Sequence, residues 1–181
     1  TFRPEILLTF LRSGSNRGNR IETIVHELTH AGSGAMSPFM KPSYFEGKAQ
    51  TRNYPIVRGY SFLIDNECVG LVLPKRFFPR SSILQYIPAA YRGGLEKAYL
   101  TGASGAQDLL TLLDEVNAYT RGLRNNRALP ELQPAGKDIS YRLKKMLLFV
   151  ELYLYHARTV ETDTYQQIID SPGLCAIIAK L

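Results

Sequence analysis

The feature that most constrains this chain is His26-Glu27-Leu28-Thr29-His30, an H-E-x-x-H sequence inside a segment with helical periodicity. Apolar residues recur there at the i, i+3, i+4 and i+7 positions that line the buried stripe of a helix. The residues of this stripe are Ile21, Ile24, Val25 and Leu28. Asn19 is a suitable N-cap, and Gly32 and Gly34 follow as helix terminators. We therefore predict a helix over residues 20–31.

The spacing of the two histidines gives the motif its chemistry. Residues four apart lie one turn above each other on a helix, so His26 and His30 can bind one metal ion. At about 100° per residue, these histidines lie roughly 140° and 180° from Ile21, while the apolar stripe stays within about 60° of it. Glu27 lies at roughly 240°, on a neighbouring face. The helix is thus expected to keep its apolar side in the core and to present all three residues to a cleft.

This motif resembles the active-site helix of the zincin metallopeptidases. In the metzincin branch a glycine and a third histidine follow at fixed positions, but residues 31–36 contain no histidine. The inverted form of the motif is also absent. The resemblance is therefore to the gluzincin-like branch, in which a glutamate on a second helix supplies the third zinc ligand. It implies a zincin-like single domain over residues 1–181, with zinc as its cofactor.

The identity of the third ligand is the next question, because catalytic zinc usually takes three protein ligands and keeps a position for water. Glu115 is the first candidate, since Glu115-Val116-Asn117-Ala118-Tyr119 resembles the E-x-x-A-Y segment of several gluzincin-like families. On its own helix Glu115 borders the apolar stripe, where a partly buried carboxylate needs a cation. A metal ion or an arginine such as Arg121 would supply one. The other candidate ligands are Glu151, His156 and Glu161.

The resemblance also implies a mechanism, the hydrolysis of a peptide bond in a peptide or protein substrate. Zinc lowers the pKa of a bound water molecule and polarises the substrate carbonyl. Glu27 acts as the general base that takes the water proton and passes it to the leaving amine. Tyr119, one turn beyond Glu115, is the candidate stabiliser of the oxyanion. Asp114 and Asn117 are near enough in sequence to accept hydrogen bonds from the zinc-binding histidines.

The rest of the chain predicts an α+β protein that is mainly helical and carries a small antiparallel hairpin. Two runs of β-branched and aromatic residues, 56–64 and 68–75, flank a short turn and form that hairpin. Further helices are expected at about 88–101, 105–121, 139–159, 162–170 and 173–180, and a strand at 5–12. Residues 35–55 contain three prolines and no periodicity, so we expect a long loop there.

Capping and helix-breaking residues set the expected ends of these helices. The helix over 105–121 is capped by Ser104 and ended by Gly122, and its inward residues are Leu109, Leu112, Leu113 and Val116. The helix over 139–159 is capped by Asp138, and its inward residues are Leu143, Met146, Leu147, Val150 and Leu154. The helix over 88–101 starts at a proline and is weakened by the internal pair Gly93-Gly94.

Charge and cysteine content bear on other classes of function. Lys+Arg 22 exceeds Asp+Glu 16, and the net charge of +6 by itself suggests a nucleic-acid partner. No helix-turn-helix, zinc-finger or RNP sequence accompanies the charge, so a nucleic-acid partner is disfavoured. Cys68 and Cys175 are too few for a disulfide scaffold, and whether they pair stays open. No apolar run of about 18 residues occurs, so no membrane span is expected.

Two alternative functions stay open at this stage. One is a zincin-like binding or effector module, such as a toxin, without general proteolytic activity. Glu27 argues against it, because a scaffold that only binds metal has no need of a general base. The other is a basic nucleic-acid-binding domain with a fortuitous H-E-x-x-H. Because the chain does not begin with methionine, we expect it to be processed or trimmed; localisation, with secreted or envelope-associated proteins included, and oligomeric state stay open.

Overall fold

The computed structural model describes residues 17–36, 58–64, 67–73, 77–128 and 139–181. Within these ranges the chain is mainly helical and contains one two-stranded antiparallel sheet, which confirms the predicted α+β, mainly helical class. In chain order the elements are α1 (Arg17–Met36), β1 (Arg58–Ile64), β2 (Glu67–Leu73), two 3₁₀ helices (Arg80–Tyr86 and Ala89–Tyr91), α2 (Gly94–Leu100), α3 (Gly102–Gly105), α4 (Leu109–Ala128), α5 (Ile139–Thr159), α6 (Thr162–Ile169) and α7 (Pro172–Lys180).

The predicted hairpin is confirmed. β1 and β2 pair in an antiparallel register that runs from Arg58 opposite Leu73 to Ile64 opposite Glu67. Side chains alternate between the two faces of a strand, and the hairpin turns Phe62, Ile64 and Leu71 into the core. The sheet therefore has an apolar face, and its strands contact α1, α4 and α7.

The two long helices α4 and α5 pack against each other and supply most of the core. The predicted stripe of α4 is confirmed, because Leu109, Leu112, Leu113 and Val116 are all buried. Met146 and Val150 on α5 are buried as predicted, and Leu143 and Leu154 are partly buried against the same core. The prediction that Leu147 faces inward is wrong, since its side chain is 40% exposed. Phe149 and Tyr153 take the inward positions of α5 instead.

The predicted ends of α1 are wrong on both sides. The helix begins at Arg17, ahead of the expected cap at Asn19, and it continues through Gly32 and Gly34 to Met36. A Cβ at Gly32 would lie 3.2 Å from Leu63 Cδ2, so this glycine allows α1 to approach β1 closely. The next residue strengthens the same contact, because the carbonyl of Ser33 accepts a hydrogen bond from the Ser61 hydroxyl at 2.5 Å. Packing against the hairpin extends the helix past residues that would end it in isolation.

The orientation of α1 also differs from the prediction. Ile24 is buried, but Ile21, Val25 and Leu28 are only partly buried. The most buried polar positions are Glu22, Thr29 and Ser33, which continue the side of the helix that carries the histidines. This side faces α4 and β1. The histidines therefore lie at a packed helix–helix contact, where neighbouring side chains hold them, and not opposite the core.

The region from 77 to 108 is more broken than the expected helix over 88–101. It consists of the two 3₁₀ helices followed by α2 and α3. Gly94 has a φ of +51° and Gly102 a φ of +57°, and these left-handed conformations interrupt the helical path at both ends of α2. The glycine pair predicted to weaken one helix thus divides the region into shorter ones.

The predicted bounds of α4 are wrong as well. Asp108 is the residue that supports its first turn, since its Oδ1 accepts a hydrogen bond from the backbone N–H of Leu110 at 3.2 Å. Ser104, the predicted cap, lies in α3, where its carbonyl accepts a hydrogen bond from Arg80 Nε at 2.8 Å. Gly122 does not end the helix. A Cβ there would lie 2.8 Å from Ile139 Cδ1, so the glycine allows the start of α5 to approach α4.

Some of the remaining predictions are confirmed, and others concern residues that the structure does not describe. α5, α6 and α7 match the helices predicted at 139–159, 162–170 and 173–180 to within a few residues. The strand predicted at 5–12, most of the loop predicted at 35–55 and the cap at Asp138 lie outside the described residues. None of the described helices combines the length and the apolar character that crossing a membrane requires.

A substitution at Gly105 tests the packing around α3. A Cβ at this position would lie 2.6 Å from the backbone carbonyl carbon and oxygen of Leu100, and backbone atoms cannot easily move away. We expect Gly105→Ala to lower the free energy of unfolding by about 1–3 kcal/mol in urea denaturation. Gly93→Ala is the control, because a Cβ there meets nothing within 4 Å. Equal stability of the two variants would contradict this packing.

Candidate metal centre

The contact between α1 and α4 brings two histidines and one glutamate together. His26 and His30 lie one turn apart on α1, and Glu115 lies opposite them on α4. The Nε2 atoms of the two histidines are 3.1 Å apart. Glu115 Oε2 lies 3.4 Å from the first Nε2 and 3.5 Å from the second. These residues form a group of three ligand atoms that could hold a metal ion.

The dimensions of this group fit a tetrahedral metal. Ligand atoms bound at about 2.0–2.1 Å to one tetrahedral ion lie about 3.3–3.4 Å apart. The three observed separations, 3.1, 3.4 and 3.5 Å, bracket that value. Glu115 Oε2 is also buried and accepts no hydrogen bond within the described part of the chain. A buried carboxylate oxygen without a donor is costly, and a cation at this point would satisfy it.

A second carboxylate orients one of the histidines. His30 Nδ1 donates a hydrogen bond to Asp114 Oδ2 at 2.7 Å, and the hydroxyl of Tyr60 donates to the same oxygen at 3.3 Å. With its proton on Nδ1, the neutral ring has a free lone pair on Nε2, the atom that faces Glu115. The predicted contact between Asp114 and a motif histidine is therefore present. Asn117 does not share that role, because its side-chain amide donates to the carbonyl of Leu63 at 3.0 Å.

Ion pairs and hydrogen bonds within the cluster balance its charges. Burial acts to lower the pKa of His30, but hydrogen bonds and charge attraction from Asp114 and Glu115 outweigh it and raise the pKa to about 10. Burial acts to raise the pKa of Glu115, but the close ring nitrogens and the charges of His26 and His30 outweigh it and lower the pKa to about 2. A proton on His30 thus balances the carboxylates when no metal is bound.

Two tyrosines close one side of the cluster. The ring of Tyr119, the predicted oxyanion stabiliser, lies 4.6 Å from the ring of His26, and this tyrosine is buried. Its hydroxyl shares a 2.7 Å hydrogen bond with the hydroxyl of Tyr99. Burial raises the pKa of Tyr99, and the charge of Glu115 and hydrogen bonds to Tyr119 and Glu115 raise it further. No sequence pattern singles out Tyr99, which is one of 11 tyrosines.

A buried arginine is the second neighbour of the site that sequence reasoning missed. Arg80 is only 1% exposed, and Ser104 accepts hydrogen bonds from its guanidinium through both its carbonyl and its hydroxyl. Its Cζ lies 5.6 Å from the centre of the Tyr99 ring. Burial lowers the pKa of Arg80, while the negative charge of Glu115 acts in the opposite direction. A single arginine beside a proline has no periodicity that would predict such burial.

The other candidate residues lie apart from this cluster. Glu115 pairs with the histidines and, among the described residues, not with Arg121. Glu151 and Glu161 are exposed and belong to no described group of metal ligands. His156 is buried elsewhere, where its Nδ1 lies 2.8 Å from the hydroxyl of Tyr86. Of the four candidates for the third ligand, Glu115 is the one that the fold brings to the histidines.

Glu27, the predicted general base, occupies the exposed side of α1 next to the cluster.

Comparisons with protein-family models, with curated proteins and with solved structures find no match for this chain. Any assignment of function therefore depends on the geometry and chemistry of the residues themselves.

The raised pKa of His30 predicts that metal binding is coupled to proton release. Its pKa lies above the ordinary value of 6.5, so the protonated form stabilises the metal-free fold fully below pH 6.5, and this contribution is lost as the pH rises through about 10. Because a bound metal ion must displace that proton, apparent zinc affinity should rise up to about tenfold per pH unit between roughly pH 7 and 9. Isothermal titration calorimetry in buffers of different ionisation enthalpy measures the proton released.

Asp114→Asn is the matched variant for this experiment. It keeps the size of the side chain but removes the strongest interaction that raises the pKa of His30. Proton release on zinc binding at about pH 8 should therefore shrink in this variant. Zinc affinity that stays flat over the same pH range in the unsubstituted protein would contradict the assigned coupling.

Proposed function

We propose that this protein is a zinc-dependent hydrolase, and specifically a metallopeptidase that cleaves peptide bonds. The observation that carries the proposal is the triangle of ligand atoms from His26, His30 and Glu115, whose edges match those of a tetrahedral zinc site. Two imidazoles and one carboxylate are a ligand set of catalytic zinc sites, which leave one position for water or substrate. The resemblance of the H-E-x-x-H helix to zincins agrees with this assignment.

The residues around the site support a role for each ligand. When bound, zinc supplies a Lewis acid that polarises a substrate carbonyl and makes water more acidic. Asp114 holds the ring of His30 through Nδ1 and keeps Nε2 directed at the ligand triangle. Glu115 contributes the charged ligand, held from the opposite helix. The imidazole and carboxylate side chains are 15–25% exposed, so the site has access to solvent.

Glu27 supplies the proton transfer in this proposal. It follows His26 directly in sequence and lies on the exposed side of α1, so its carboxylate is available to a water molecule at the edge of the site. In the reaction it accepts the proton of the attacking water and returns it to the nitrogen of the departing amine. Glu27 is not one of the three clustered ligand residues, which leaves its carboxylate available for this role.

The hydroxyls of Tyr119 and Tyr99 are the proposed donors for the oxygen that becomes negative during peptide hydrolysis. They are hydrogen-bonded to each other beside His26, so one hydroxyl can donate while the other supports it. Tyr119 keeps the role that its spacing from Glu115 suggested. Tyr99 joins it because its hydroxyl shares the 2.7 Å hydrogen bond with Tyr119.

A substitution of Glu115 tests the metal site. Glu115→Gln keeps the shape of the side chain but removes the charge, so we expect zinc affinity to fall at least about 100-fold. The measurement is a competition titration of chelator-stripped protein, with zinc content checked by elemental analysis. Glu161→Gln, at an exposed position just after α5, is the matched control and should bind like the unsubstituted protein. Unchanged zinc affinity in Glu115→Gln would exclude Glu115 as a ligand.

A substitution of Glu27 separates metal binding from catalysis. Glu27→Gln should keep stoichiometric zinc and lose kcat/KM by about 10²–10⁴-fold, since general-base catalysis contributes on that order. The assay follows cleavage of a quenched fluorescent peptide library, with Glu161→Gln again as the control. Full activity in Glu27→Gln would exclude the assigned base. A zinc-loaded unsubstituted protein that cleaves no peptide would favour the alternative of a binding or effector module.

A further inference from the structure

The outer face of α5 exposes large apolar side chains in a regular pattern. We define this α5 outer face as Tyr141, Lys144, Leu148, Glu151 and Tyr155. Its apolar members Tyr141, Leu148 and Tyr155 are 53%, 41% and 47% exposed. They are spaced seven residues apart, which is nearly two helical turns, so they lie on one line along the helix. The buried residues of α5, such as Phe149 and Tyr153, lie on its opposite side.

We propose that the α5 outer face binds the same face of a second copy of this chain, with the two α5 helices antiparallel and a two-fold axis passing beside Leu148. The arrangement of apolar residues is symmetric about that point, because Tyr141 precedes Leu148 by seven residues and Tyr155 follows it by seven. A two-fold axis there would place Leu148 against the partner's Leu148. Tyr141 would lie at the level of the partner's Tyr155.

The charges beside the apolar line favour the antiparallel arrangement. Lys144 and Glu151 are both exposed and lie along the same edge of the line, on either side of Leu148. A two-fold axis perpendicular to the two helices keeps this edge on the same side in both copies. Lys144 then lies within about one residue rise of the level of the partner's Glu151. A parallel pair would instead place this edge on opposite sides of the contact in the two copies, so Lys144 would not face the partner's Glu151.

On the opposite edge of the line, the side chains already have partners within one copy of the chain. Lys145 Nζ forms a 2.6 Å ion pair with the buried carboxylate of Glu96 and lies 5.8 Å from the centre of the Tyr141 ring. Leu152, on the same edge, is partly buried against the core. Lys144 and Glu151, by contrast, form no ion pair with another described residue, and the antiparallel arrangement brings them together.

The size of this face sets the expected strength of association. Tyr141 and Tyr155 are fourteen residues apart, so the contact spans about 21 Å of helix at about 1.5 Å per residue. One helix face buries less than the roughly 800 Å² per partner of a standard interface. We therefore expect a reversible dimer with a Kd of roughly 1–100 µM.

Sedimentation equilibrium tests the proposal on the full chain. The unsubstituted protein should dimerise as its concentration rises to about 200 µM, whereas Leu148→Lys should stay monomeric because it places two lysines at the axis. Ile169→Lys, which changes an exposed apolar residue on α6, is the matched control and should dimerise normally. Circular dichroism checks that both variants are folded. A monomeric unsubstituted protein, or a dimer that persists in Leu148→Lys, would overturn the proposal.

Charge reversal tests the antiparallel register. Glu151→Lys should weaken dimerisation about tenfold or more, because each introduced lysine then faces the partner's Lys144. The double variant Lys144→Glu/Glu151→Lys should recover the original affinity. Failure of the double variant to recover it would overturn this register.

A symmetric disulfide gives a direct measure of the axis. In a Cys175→Ser background, which removes the exposed free cysteine of α7, the Leu148→Cys variant should form a disulfide between the two copies at this position on mild oxidation. Ile169→Cys should not form the corresponding link, and peptide mass spectrometry distinguishes the two. Absence of the link at position 148 would exclude an axis at this point.

Discussion

The position of His30 between two consecutive carboxylates is the constraint on which the candidate site depends. Asp114 accepts a hydrogen bond from Nδ1, and Glu115 faces Nε2. Consecutive residues on a helix point about 100° apart, so one imidazole can touch both only when α1 lies close beside α4 in a single register. That register also brings His26 to Glu115 and Thr29 and Ser33 into the interior. Helix packing and ligand geometry are therefore fixed together.

The contact between α1 and α4 also brings several charged side chains together in a buried environment. Asp114 is buried and Glu115 is nearly so, and Arg80 beside them is more buried than either. Buried ions remain charged only when partners replace their hydration. The two carboxylates raise the pKa of His30 and the two histidines lower that of Glu115, so a proton on His30 can balance the carboxylates. A divalent cation would balance the same carboxylates, so the site is electrostatically prepared for one.

The sequence predicts those features that depend on residues close together in the chain. The H-E-x-x-H helix, the hairpin and the stripe of α4 follow from short-range periodicity and were predictable. A ligand histidine needs a hydrogen-bond acceptor, so a contact such as that of His30 with Asp114 was predictable. The choice between Asp114 and Asn117 was not, and Asn117 binds β1 instead. Arg80 and the continuation of α1 through Gly32 depend on contacts between distant segments. No local pattern encodes such contacts.

The helix α4 also decides how the candidate site relates to the α5 outer face. One side of α4 carries Asp114 and Glu115 toward α1, and α5 packs against another side, where Gly122 allows Ile139 to approach. A helix in contact with two neighbours transmits any displacement of one to the other, because packed interiors compress little. The α5 outer face points away from this core, however, so two copies joined there would leave α4 undisturbed. Association through α5 is thus compatible with two independent candidate metal centres.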